Sequence, residues 1–60
     1  MSIVQIDDYA RRLYDAHGDR AEYEAQQRAL ECETKGAADE AEDWRSIRAR
    51  IRILRGPSVS

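Results

Sequence analysis

Two glycines, Gly18 and Gly36, divide the chain into three segments, and the outer two carry apolar residues spaced for one face of a helix. In the first segment Ile3, Ile6, Ala10 and Leu13 recur at 3-4-3 spacing; in the third, Trp44, Ile47, Ile51 and Leu54 do the same. Apolar residues on one side, with a period near 3.6, call for helices that bury a stripe against one another. No alternating strand pattern and no Asn-Gly or Asp-Gly hairpin turn competes with that reading. The predicted fold class is all-α: a compact three-helix domain with helices over about 3–17, 20–34 and 38–55. One domain spans 1–55, and 56–60 form a short flexible tail after Gly56-Pro57, where proline cannot continue the amide ladder.

Helix boundaries are written locally. Ser2 and Gln5 have capping-box spacing, so hydroxyl and amide groups can satisfy each other's backbone N–H. His17-Gly18 and Lys35-Gly36 read as helix ends, because glycine accepts the left-handed conformation required there. Asp19 with Glu22, and Asp39 with Glu42, repeat the N-terminal pattern for the second and third helices. In the second helix Ala21, Ala25, Ala29 and Cys32 make a small-residue face, with Tyr23 and Leu30 opposite. A helix with one smooth and one bulky face is predicted to sit centrally, touching neighbours on both sides.

Size then limits function. A 60-residue chain buries only ~60% of its unfolded surface, which excludes Rossmann or barrel scaffolds and deep enclosed pockets. Nine alanines favour helix but add little volume. The core, assigned to Ile3, Ile6, Leu13, the alanine face, Trp44, Ile47, Ile51 and Leu54, is therefore thin. A partner or a second copy is expected to supplement it.

Charge is strongly asymmetric. All 12 acidic residues lie at or before Asp43, giving residues 1–43 a net charge of −7, while residues 44–60 carry five arginines and no acid. Arg45, Arg48, Arg52 and Arg55 form a stripe beside the apolar face of the third helix, and Arg50 lies on the other side of that face. One reading is a phosphate-binding surface for RNA or DNA, since arginine's planar fork suits phosphate. The favoured reading is internal. Acids begin the helix and arginines end it, as its macrodipole prefers, and the arginines can meet Glu22, Glu24, Glu31 or Glu33 across an antiparallel helix pair. A groove-reading helix is disfavoured because four carboxylates crowd its leading end. A membrane-surface helix would strip the domain of its largest apolar stripe.

Catalytic and metal signatures are missing. His17 stands at a helix end, where it is expected to cover terminal carbonyls or pack on the neighbouring turn, and no serine near it belongs to a nucleophile motif. Cys32 lies on the alanine face and is expected to be buried and inert. There is no paired C-x-x-C or H-x-x-x-H spacing for zinc, no phosphate-binding loop and no dinucleotide fingerprint. No cofactor is expected, and no enzymatic activity. A lone cysteine, no signal-peptide start and no membrane-length apolar run point to the cytoplasm.

Leu13, His17-Gly18, Ala21, Ala25, Ala29, Gly36, Trp44, Ile47, Ile51 and Leu54 together resemble a group of short, uncharacterised bacterial proteins, chiefly alphaproteobacterial. The group's pattern runs His-Gly, spaced alanines, Gly-Asp, then Trp-x-x-Ile with a following apolar stripe. The likeness covers residues 9–55, with Ala37 standing where the group usually has aspartate. It implies a bacterial, cytosolic, helical protein and no particular activity.

The functional expectation is a small non-catalytic interaction module that binds a protein partner or itself. Its candidate partner-binding residues are Arg45, Arg48, Arg52 and Arg55; its candidate self-association residues are Tyr14, Tyr23 and Ile53. A nucleic-acid-binding regulator using the arginine-rich third helix is the alternative, and a membrane partner is the least favoured.

Overall fold

The structure, a computed structural model, describes residues 2–56. Three helices account for nearly all of it: α1 (Ile3–His17), α2 (Arg20–Thr34) and α3 (Ala38–Leu54). No strand occurs among the described residues. The third helix stops one residue short of the predicted end, with Arg55 as its C-cap. The tail from Pro57 onward lies outside the described residues.

Local chemistry explains some boundaries and not others. The Ser2 side chain accepts from the Gln5 N–H at 3.2 Å, and the Ser2 N–H donates to Gln5 Oε1 at 3.0 Å, completing the capping box. Gly18 has φ +60° and ends α1, its N–H donating to the Tyr14 carbonyl at 2.7 Å. Gly36, at φ +80°, does the corresponding work after α2. The predicted acidic caps are not made. Asp19 takes helical angles and makes no side-chain cap bond, and α3 starts from Ala37 without one. The Asp19 carboxylate lies instead 3.7 Å from Arg55.

Helix α3, not α2, is the central element, since it makes the most extensive contact with each of the other two. The face of α2 bearing Tyr23 and Leu30 is left uncovered, with Tyr23 61% exposed. The alanine face does what its spacing predicts: Ala21, Ala25, Ala29 and Cys32 are buried. Small side chains let the α2 backbone approach α3 closely, and dispersion contacts gain from the short distance. Ile47 and Ile51 fill the space between helices with Ala10, Ala21 and Ala25, flanked by Ile6, Leu13, Tyr14, Trp44 and Leu54.

Not all of the assigned core is buried: Ile6, Leu13, Trp44 and Leu54 are partly buried at its edge, and Ile3 is exposed. Ile3, in the first turn of α1, is 77% exposed. Trp44 is half-buried, its ring meeting Tyr9 edge-on at 5.5 Å and 86°. Ile47 and Ile51 are thus the large side chains most completely buried among the described residues. No helix among those residues is long and apolar enough to cross a membrane.

Candidate functional site

The α2–α3 pair carries a ladder of ion pairs that defines its direction. At one end Arg45 Nη2 lies 2.7 Å from Glu33 Oε1; at the other Arg55 Nε lies 3.7 Å from Asp19 Oδ1. The beginning of α3 therefore meets the end of α2, and the two helices are antiparallel. Between these ends Glu22 gathers three guanidiniums: Arg55 Nη1 donates to its Oε1 at 2.7 Å, Arg52 Nε lies 3.2 Å from Oε2, and Arg48 Nε lies 3.9 Å from Oε2. Glu22 is only 16% exposed at its side chain, so these pairs are less screened than those at the open surface. On the other flank of α3, Arg50 Nε lies 2.9 Å from Asp7 Oδ1 on α1.

All four candidate partner-binding residues, Arg45, Arg48, Arg52 and Arg55, thus face carboxylates of α2 or its leading turn. Asp7, the partner of Arg50, was not among the carboxylates the sequence pointed to; the signal was its place beside the apolar stripe of α1. The pairing is uneven. Arg48, Arg52 and Arg55 share Glu22, Arg55 alone also reaches the exposed Asp19, and Arg48 Nε is buried without a hydrogen-bond partner. A shallow polar cavity of about 500 Å³, lined by Asp19, Glu22, Arg52, Arg55 and Gly56, opens beside the cluster.

The candidate self-association residues do not share one face. Tyr14 packs against the core, and Tyr23 stands on the outer side of α2. Ile53 is 65% exposed and lines a groove of about 260 Å³ with Ile3, Ile6, Ser46, Ala49 and Arg50. The sequence singles out Ile53 but not the groove around it, which exists only because α1 lies beside that face of α3. The Ser46, Ala49, Ile53 spacing on the opposite side was the signal that could have found it.

His17 does not cover helix-end carbonyls; its Nδ1 lies 2.9 Å from Glu24 Oε2 on the next helix. The Cys32 thiol is buried and donates to Glu40 Oε2 at 3.7 Å. Burial pushes its pKa above the ordinary value of 9.0, and the adjacent Glu40 carboxylate pushes it further. No group of three His, Cys, Asp or Glu side chains poised for a metal ion occurs among the described residues. Comparison with protein families, curated proteins and solved structures finds no match to this chain.

Proposed function

We propose that this chain is a small, non-catalytic helical interaction module whose working surface is the uncovered apolar groove between α1 and α3. One observation carries the reading: Ile3 and Ile53 line the same groove, largely exposed, in a domain that fully buries only two large side chains among those described. Contiguous exposed apolar surface marks interaction sites, and a thin core gains from any partner that covers it. The lone cysteine supports a reducing, cytosolic setting.

The test compares the wild-type chain with Ile53→Glu, a change at an exposed position that leaves the core intact. Binding to copies of itself or to a protein partner is lost in the variant while helicity is kept. Identical binding by the two proteins would contradict the reading.

A nucleic-acid reading draws on one feature, the surplus of guanidinium over carboxylate around Glu22. Against it stands the pairing of every arginine of α3 with an acid at 2.7–3.9 Å. The module reading expects no binding of labelled RNA or duplex DNA at physiological ionic strength. Binding that weakens steeply with salt and vanishes on charge reversal of Arg52 and Arg55 would establish the alternative.

A further inference from the structure

Beyond the module reading, we propose that the shallow cavity at the end of the α2–α3 pair binds a single phosphate dianion, free or carried by a small phosphorylated molecule. The cavity is lined by Asp19, Glu22, Arg52, Arg55 and Gly56, and it shares no residue with the apolar groove. Its two carboxylates are of different kinds. Glu22 is half-buried and holds the guanidiniums of Arg48, Arg52 and Arg55 together. Asp19 is 85% exposed at its side chain, makes no cap bond with α2, and reaches only Arg55 Nε, at 3.7 Å. An exposed pair at that distance contributes little, so Asp19 turns out into water at small cost when an anion competes for Arg55. Three cations then stand against one carboxylate, a net charge of +2. A phosphate dianion neutralises that charge, whereas a chloride or a carboxylate leaves half of it. Because α2 begins and α3 ends at this place, their macrodipoles oppose one another, and the side chains decide the sign.

Hydrogen-bond donors are also in surplus. A guanidinium carries a rigid fork of N–H groups, and three such forks meet one carboxylate at Glu22. Among the described residues Arg55 alone donates a hydrogen bond to it, through Nη1 at 2.7 Å. Arg52 approaches the same carboxylate by its Nε at 3.2 Å, and Arg48 Nε is buried with no acceptor. Arg52 and Arg55 both line the cavity, so the N–H groups that Glu22 leaves unused are available there. Planar forks of this kind take phosphate oxygens in pairs. Arg48 does not line the cavity and adds to its field rather than to its contacts.

The site takes one phosphate and not a strand. A nucleic acid requires a row of phosphate contacts, and the other arginines of α3 are engaged elsewhere: Arg45 with Glu33 at 2.7 Å, Arg50 with Asp7 at 2.9 Å.

The test follows the arginine Nε–H resonances of the full chain by NMR as inorganic phosphate replaces chloride. Ionic strength is held constant, which removes general screening, at a mildly alkaline pH where phosphate is a dianion. The Arg52 and Arg55 signals shift and saturate, while that of Arg45 stays in place. Arg52→Gln, at an exposed position, weakens binding roughly tenfold, the equivalent of one charge-assisted hydrogen bond, and circular dichroism shows its helices unchanged. Asp19→Asn removes the competing carboxylate and tightens binding by about two- to fivefold. Titration with glycerol phosphate separates the sources: tighter binding of the ester marks a small phosphorylated molecule, and tighter binding of the ion marks free phosphate. Shifts that grow without saturating, that spread equally to Arg45 or that survive Arg52→Gln overturn the site, as does weaker binding by Asp19→Asn. Ile53→Glu leaves phosphate binding unchanged, so this site and the groove stand or fall separately.

Discussion

Replacing Ile51 with alanine tests whether two isoleucines hold this domain together. Ile51 is fully buried in a cluster with Ile47 and three alanines, Ala10, Ala21 and Ala25. Those alanines cannot swing into a vacated space, because a methyl group has no rotamer to change and each sits on a helix backbone. The cavity therefore persists, placing the cost in the upper part of the range of about 2–5 kcal/mol for removing a large aliphatic side chain. At 0.05–0.15 kcal/mol per residue, a chain of this length is stable by about 3–9 kcal/mol. A domain this small loses about 4–8 °C of Tm per kcal/mol. Ile51→Ala should thus melt at least ~10 °C lower and, at the upper end, be unfolded at room temperature. The assay is far-UV circular dichroism during heating, at fixed protein concentration. Trp44→Ala is the comparison: the half-buried ring contributes about 2 kcal/mol, roughly half the cost of a fully buried one. An Ile51→Ala melt within about 3 °C of wild type, or a larger loss from Trp44→Ala, would refute the reasoning.

Three further outcomes follow from named contacts. Glu22→Ala removes the carboxylate that Arg48, Arg52 and Arg55 share, leaving Asp19 to Arg55, and should cost about 1–3 kcal/mol in urea denaturation, against less than about 1 for Arg45→Ala; equal costs would show that the cluster is not special. Gly18→Ala meets no steric obstacle, since nothing lies within 4 Å of the added carbon, but φ is +60°. The cost is therefore one of backbone conformation, about 1–3 kcal/mol by the same assay, and an unchanged midpoint would contradict it. The Cys32 thiol, raised above 9.0, should alkylate slowly at neutral pH in the folded chain and faster in Glu40→Gln. Because folding raises this pKa, the thiol's contribution to stability is full below the unfolded value and is lost as pH rises through the folded one. Native labelling as fast as labelling in denaturant would contradict the burial.

Much of the fold was legible because its signals are local. The glycines at 18 and 36 and the 3-4-3 stripes are properties of short windows, and they located all three helices to within a residue. The Ser2 cap was legible for the same reason. Asp19 was not, because its choice between an N-terminal amide and Arg55 depends on where α3 ends in space. Likewise, Tyr23 and Leu30 have the spacing of a buried face, and only the arrangement of the other helices leaves that face open. Ile3 keeps the phase of the core stripe but sits in a terminal turn, which periodicity cannot register. Of the four α2 acids the sequence offers the arginine stripe, Glu22, Glu24, Glu31 and Glu33, the fold uses Glu22 and Glu33. Asp7 was missed because it requires knowing that α1 lies along the Arg50 flank of α3.

Helix α3 thus turns its arginines toward carboxylates of its neighbours and keeps Ile53 on an uncovered face. Whether that face is the working surface is tested most directly by melting the wild-type chain at a series of protein concentrations beside Ile53→Glu. Association stabilises the folded state by mass action, so the wild-type Tm should rise steadily over about a hundredfold range of concentration, while that of Ile53→Glu stays constant. A wild-type Tm that does not move, or an Ile53→Glu variant that moves with it, would contradict self-association through this groove.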